Sequence, residues 1–224
     1  MKNEELILEE VSNETIINKK YGYLFIKRFF DIIVSLIGIV PLIILAFVIK
    51  IVYVCNGDFK TIFYKHVRVG KNGKNFGLYK FRTMVPNSAE ILKELLKKPE
   101  YAKEWKENHK FENDPRITKV GKILRKTSLD EVPQILNILK GEMSIIGPRP
   151  VLDEEVQEYG KDKEKLLSVR PGLTGWWACN GRSDTSNDER MKLELYYVDH
   201  MSIKLDIKIF FQTIAKVIKK EGAK

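Results

Sequence analysis

From Ile32 to Ile49 the chain carries no charged residue, and Pro41 stands near the middle of that run. An uncharged apolar stretch of about 18 residues is long enough to enter a membrane as a helix. The wider segment, FFDIIVSLIGIVPLIILAFVIKIVYV, extends from Phe29 to Val54. It does not read as a signal peptide: acidic residues precede it (EELILEE), the apolar part is too long, and no small-residue cleavage site follows. Pro41 removes the hydrogen bond to the carbonyl of Ile37 and crowds that turn, and Gly38 and Ser35 ease a bend. Each half is then about 12 residues, or roughly 18 Å of helix, short of a hydrocarbon core of roughly 30 Å.

The flanking charges bear on how the segment sits. Lys19, Lys20, Lys27 and Arg28 precede it, and Lys60, Lys65, Arg68, Lys71 and Lys74 follow. A spanning helix puts one of these clusters outside, against the positive-inside rule. A helix-break-helix that enters and leaves by one face keeps both on the same side. An ordinary proline-kinked transmembrane helix remains the alternative reading.

The remainder of the 224 residues is enough for a domain with a real core. The net charge of +9 points to acidic partners, whether nucleic acid, anionic lipid or phosphorylated substrates. Cys55 and Cys179 are the only cysteines, which excludes a disulfide framework and a cysteine zinc site. His66, His109 and His200 share no metal-ligand spacing. No helix-turn-helix, RNA-binding or zinc-finger signature supports a nucleic-acid partner.

Two aromatic and β-branched runs around Asn72-Gly73 (residues 61 to 84) give a hairpin. Residues 87 to 110 read as a charged surface helix pair, with Asn87 and Glu90 at capping-box spacing and Trp105 as an anchor. In MSIKLDIKIFFQTIAKVIKK, Ile203, Ile207, Phe210, Ile214 and Val217 recur at helical spacing, with Lys204, Lys208, Lys216 and Lys219 mainly off the stripe. Such a basic amphipathic helix suits an anionic membrane interface, or packing on the soluble core with a solvated basic face.

TSLDEVPQ (127 to 134) sets Asp130 and Glu131 side by side ahead of Val132, Ile135, Leu136 and Leu139. Read alone, Ser128 and Glu131 form a capping box, and acids in a first turn complement the helix dipole. Around this pair lie Arg116, Arg125, Arg149, Arg170 and Arg182, three of them on Pro- or Gly-pinned turns. Guanidinium forks held on rigid turns suit phosphate.

These blocks carry a resemblance. KRFFDIIVS, the proline-broken run, YKFRTM, DPRITKVGKILRKTSLDEVPQILNILKGEMSIIGPRP, RPGLTGWWACNGRS and YYVDHMSIKLDIKIF occur in order from about Tyr23 to Ile218. Together the chain resembles a monotopic phosphoglycosyl transferase of the bacterial sugar transferase family. The resemblance implies transfer of a phospho-sugar from a UDP-sugar donor to a polyprenol (undecaprenyl) phosphate, with release of UMP. This step would begin surface polysaccharide or glycoconjugate assembly at the cytoplasmic face of the bacterial inner membrane. It implies Asp130 as the nucleophile of a covalent aspartyl intermediate, Glu131 as a Mg2+ ligand, and Arg125, Arg149 and Arg182 as phosphate or nucleotide ligands. It also implies Pro41 as the re-entrant break, and leaves room for a homodimer. Charge alone suggests that Lys27 and Arg28 attract the acceptor phosphate.

Glu194 stands where the family usually has Asp, and its longer side chain would have to be compensated if it orients substrate. Trp176-Trp177 also departs from the commoner pattern. The expectation is a mostly helical α+β fold. Residues 1–20 form a flexible tail, 21–56 a re-entrant membrane helix, and 57–224 a cytosolic-face catalytic domain with a small β-hairpin and a C-terminal amphipathic interfacial helix. A membrane-anchored basic scaffold, or a nucleic-acid-binding protein without catalysis, is the alternative.

Overall fold

The computed structural model of the chain describes residues 2–108, 111–181 and 185–219. A long helix, α1 (Lys2–Cys55), leads into an antiparallel hairpin of β1 (Phe63–Val69) and β2 (Asn75–Phe81). Helices α2 (Ser88–Leu95), α3 (Pro99–Asn108) and α4 (Lys119–Lys126) follow. A 3-10 segment, Leu129–Gln134, runs into α5 (Ile135–Lys140). Then come β3 (Ser144–Ile146), α6 (Asp153–Glu158), α7 (Lys163–Leu167), β4 (Gly172–Thr174), α8 (Trp176–Asn180), α9 (Asn187–His200) and α10 (Ile203–Lys219). The fold is mostly helical, as its sequence implies. The parallel pairing of β3 with β4 was not foreseen, because three-residue strands carry too little alternation to read.

The helix α1 remains helical through Pro41, so the expected break is not an unwound stretch between two helices. A proline costs a helix one hydrogen bond, and packing on both sides can hold it in place. Here Asp31, Ser35, Leu42, Ile49 and Tyr53 form a buried stripe at helical spacing. Leu42, Ile49 and Tyr53 join Ile62, Phe81 and Leu124 in one core cluster. Gly38 lets α5 approach closely, since a Cβ there would stand 2.6 Å from Ile135 Cδ1. Arg28 donates to the carbonyls of Ile138 and Leu139 at 2.6 and 2.9 Å, satisfying the end of α5. The opposite side of α1 is apolar and exposed over a long stretch, from Phe25 through Phe29, Leu36, Ile37, Val40, Ile43, Ile44 and Phe47 to Ile51.

The hairpin forms as expected, with Asn72 (φ 56) and Gly73 (φ 74) both left-handed at its turn. The helix pair over 87–108 is also present, but Asn87 makes no side-chain cap bond. Trp105 packs its ring 5.2 Å from Phe111. The helix α10 packs one face on the body and leaves a second apolar row exposed. Ile209 is fully buried against Tyr197, Cys179 and Ile146, while Ile203, Ile207, Phe211 and Ile214 stay exposed.

Candidate functional site

Asn137 fixes the acidic segment to the hairpin. It is fully buried, accepts from the amide of Tyr79 at 2.9 Å, and donates to Gly77 O at 2.8 Å and Glu142 Oε2 at 2.7 Å. This ties α5 across β2 and sets Lys80, the next residue of the strand, beneath the acidic pair. Lys80 Nζ lies 2.7 Å from Glu131 Oε1 and 3.9 Å from Asp130 Oδ2. The expected capping box does not form. Ser128 is left-handed (φ 57) and makes no side-chain cap bond, while Glu131 spends its carboxylate on Lys80. The two acids therefore converge on a cation instead of on the helix amides.

Asp130 is buried and Glu131 half-buried. Burial pushes the Asp130 carboxyl above its ordinary range, and the negative charge of Glu131 adds to that. Lys80 and Arg125 oppose the rise. Arg125, on the last turn of α4, is held by a 3.0 Å bond from its Nε to Thr83 Oγ1.

A second cluster gathers around Glu155 at the start of α6. Arg149 Nη1 reaches its Oε1 at 2.8 Å, Arg190 Nη1 the same oxygen at 3.3 Å, and Arg68 Nη1 its Oε2 at 3.3 Å. The amide of Leu152 donates to Oε2 at 2.6 Å. Arg149, the Leu152 amide and Arg190 hold the Glu155 carboxyl below its ordinary value despite its burial. Three guanidiniums on one carboxylate leave excess positive charge, and Arg149 is the most exposed of them at 33 %. His66 links the two clusters: burial first, then Arg68, Lys80 and Arg149 lower its pKa, so its ring is neutral at physiological pH.

Glu194 lies behind this cluster on α9 and is 2 % exposed, so it does not line an open surface. Its carboxyl faces the backbone amide of Arg149, and its Oε2 has no hydrogen-bond partner among the described residues. Burial pushes its pKa up to about 7. The fold thus brings together Asp130, Glu131 and Arg125, with Arg149 reached through His66 and Glu194 behind Arg149. Arg182 lies outside the described residues. Pro41 sits on α1, in the apolar segment.

Other expected phosphate contacts have different partners. Arg116 is buried and bound to Asp114 at 2.6 Å, with Trp105 beneath it at 5.5 Å. Lys27 pairs with Asp206 at 2.7 Å and Arg28 caps α5, so neither is a free headgroup-level cation. Trp176 stacks on Tyr196 under Lys208, and Trp177 donates to Thr185 Oγ1 at 2.8 Å. Lys80, Arg68, Arg190, Glu155 and His66 were not singled out for the site from sequence. Arg149 and Glu155, six residues apart in chain order, offered a readable charge pair; Arg68 and Arg190 join it only by tertiary contact.

Among the described residues no three His, Cys, Asp or Glu side chains cluster as a metal cage. Asp130 and Glu131, both aimed at one ammonium, are hard oxygen donors of the kind Mg2+ takes when water and substrate phosphates complete its shell. The pair fits that ion.

Residues 22–220 match the model of the bacterial sugar transferase family. The chain is 42 % identical to a UDP-galactose-lipid carrier transferase of Erwinia amylovora, over 98 % of this chain and 45 % of that protein. It is 44 % identical to an undecaprenyl-phosphate galactose phosphotransferase of Salmonella typhimurium, over 89 % and 42 %. With the exopolysaccharide production protein ExoY of Sinorhizobium fredii it shares 43 % identity over 88 % and 87 %. It thus spans less than half of the first two relatives and most of the third.

Proposed function

The chain belongs to the bacterial sugar transferase family, and on that premise we propose that it moves a phospho-sugar from a UDP-sugar to a polyprenol phosphate through Asp130. The observation that carries this reading is the buried Asp130 carboxylate, set beside Glu131 and Lys80 and coupled to an arginine cluster with excess positive charge.

In the first displacement an Asp130 oxygen attacks the sugar-bearing phosphorus. The bond from that phosphorus to the bridging oxygen breaks, and UMP leaves with the electron pair. The enzyme then holds the phospho-sugar as an acyl phosphate. In the second displacement a phosphate oxygen of the polyprenol phosphate attacks the same phosphorus, and the Asp130–phosphorus bond breaks. Polyprenol-diphospho-sugar leaves and the carboxylate is restored.

Lys80 offsets the charge of two adjacent acids and favours the ionised form of Asp130; Arg149 and Arg125 offer donors to phosphate oxygens. Glu131, with Asp130, would hold Mg2+. A divalent cation bound there neutralises diphosphate charge that otherwise repels an anionic nucleophile.

The membrane reading draws on α1. Its buried stripe binds the body at Arg28 and Asp31 near one end and at Ile49 and Tyr53 near the other, while the outer face is apolar. A helix so bound along its apolar length cannot be ringed by lipid, as a spanning helix is. This favours a segment that enters and leaves by one face, with the site at the cytoplasmic surface; Pro41 lies midway along it, inside the continuous helix.

The test uses the chain in nanodiscs with Mg2+, undecaprenyl phosphate and single UDP-sugars, UDP-galactose first because two relatives are named for galactose. UMP release from one donor is expected, together with a hexose-phosphate adduct on the intact protein when acceptor is withheld. Both vanish in Asp130→Asn. UMP release that survives in that variant overturns Asp130 as nucleophile.

A further inference from the structure

A cavity of about 310 Å³ opens between the Tyr21–Asp31 part of α1 and the body, remote from the acidic pair. Lys27, Arg28, Lys71 and Arg170 supply its cations, and Asp31 its one carboxylate. Two of these cations are already answered. Lys27 is bound to Asp206 at 2.7 Å, and Arg28 faces Asp31 while capping α5. The other two are not. Arg170 makes one bond, from Nε to Gly141 O at 2.8 Å, which leaves both Nη groups without a partner among the described residues. The side chain of Lys71, on the hairpin turn, makes no hydrogen bond or ion pair among them; only its backbone carbonyl is used, by the Lys74 amide. Burial first, and then the nearby charge of Arg170, lower the basicity of Arg28. Like charges gathered around an open volume call for an anion.

The position selects the kind of anion. Tyr21 and Leu24 form part of the wall, and the exposed apolar face of α1 begins beside them at Phe25 (76 % exposed) and Phe29 (54 %). The cavity therefore stands where the polar body meets the lipid-facing helix. It is not the reaction centre: Arg28 reaches Leu139, nine residues beyond Asp130, or about 15 Å along the 3-10 and α segments.

We propose that this cavity binds the phosphate headgroup of an anionic membrane phospholipid, with Arg170 and Lys71 as its free ligands. The headgroup compensates the two cations, and its acyl chains lie along the Phe25–Phe29 face of α1. Such a lipid fixes the depth and rotation of α1 without entering the transfer reaction.

Native mass spectrometry of the full chain in an uncharged maltoside detergent tests this. The protein is titrated with phosphatidylglycerol or phosphatidylcholine of the same chain length, and with inorganic phosphate. One phosphatidylglycerol is expected to bind at least ten-fold more tightly than phosphatidylcholine. Lys71→Gln and Arg170→Gln should each weaken it at least five-fold, and Lys103→Gln, which removes a charge on exposed α3, should not. The Lys71 side chain makes no hydrogen bond or ion pair among the described residues, so its variant leaves the fold intact and keeps the result interpretable should Arg170→Gln unfold. Equal binding of both lipids, or equal loss in Lys103→Gln, reduces the effect to general charge attraction and overturns the site. Inorganic phosphate binding as tightly as phosphatidylglycerol overturns the lipid as its source.

Discussion

Lys80 and Glu131 lie 51 positions apart in the chain and meet at 2.7 Å, with Asp130 Oδ2 3.9 Å from the same ammonium. That contact turns two acids at a helix start into a site. Replacing Lys80 with Met leaves two adjacent carboxylates, one of them buried, without their cation. Their repulsion raises the Asp130 pKa further, so less of it is ionised at neutral pH. The expected result is a fall in the rate of UMP release in the first turnover by about 10²-fold, partly recovered at higher pH. Lys80→Arg, which keeps the charge, should retain more activity than Lys80→Met at every pH. A Met variant with an unchanged rate and pH profile would remove Lys80 from the mechanism.

Asn137 supports the same contact from behind. Asn137→Ala leaves the Tyr79 amide and the Gly77 carbonyl unpaired in the interior. Each such group costs about 1–3 kcal/mol. Thermal unfolding of the soluble part should shift down accordingly, and adduct formation on Asp130 should slow at temperatures where the variant remains folded. Asn137→Asp keeps one acceptor and should fall between the two.

Glu155 holds Arg68, Arg149 and Arg190 on one carboxylate. In Glu155→Gln the shape survives and the charge does not, so the three guanidiniums repel and Arg149 loses its fixed direction. The Michaelis constant for the UDP-sugar is expected to rise about 10-fold with a smaller change in kcat, the pattern of lost substrate binding. A purely structural role would lower stability and leave the Michaelis constant alone, so both are measured on the same preparation.

The sequence made the site's components legible more than its wiring. The run from Ile32 to Ile49, the Asn72-Gly73 turn and the acidic pair are local signals and stand where periodicity and turn chemistry put them. The capping box failed because Glu131 has a better partner in a strand 51 residues away, and no local rule sees that contact. Arg116 looked like a phosphate ligand because its Asp-Pro-Arg turn is rigid; the turn instead folds Arg116 back onto its own Asp114. Glu194 is recognisable as a departure, but only the fold shows that it meets the Arg149 backbone from a buried position.

That burial makes Glu194 a source of pH-dependent stability. Its pKa rises from an ordinary 4.5 to about 7 in the fold, so the folded chain prefers the neutral acid. This preference is fully present below 4.5 and is lost as pH rises through about 7. Across that window the folded state binds the extra proton, and stability falls with rising pH by up to about 3 kcal/mol from this group. Glu194→Gln should flatten the stability profile between those limits and leave the variant more stable than the native chain above pH 7, as read by denaturant unfolding of the detergent-solubilised protein. A profile unchanged by the substitution would show that Glu194 is ionised in the fold.

Cys55 tests the placement of α1. It is exposed at the helix end, whereas Cys179 is buried, so an impermeant maleimide reports Cys55 alone in the native fold. Tyr21→Cys adds a reporter at the other end of the apolar segment of α1, where the native side chain is 68 % exposed. If α1 enters and leaves by the cytoplasmic face, neither thiol is labelled in intact cells and both are labelled after lysis. A spanning helix separates the two ends, so one of the two is labelled from outside. Pro41→Leu restores the missing helical donor and removes the ring clash at Ile37. It should move part of the population toward the spanning state, with labelling of one end in intact cells and loss of UMP release in proportion.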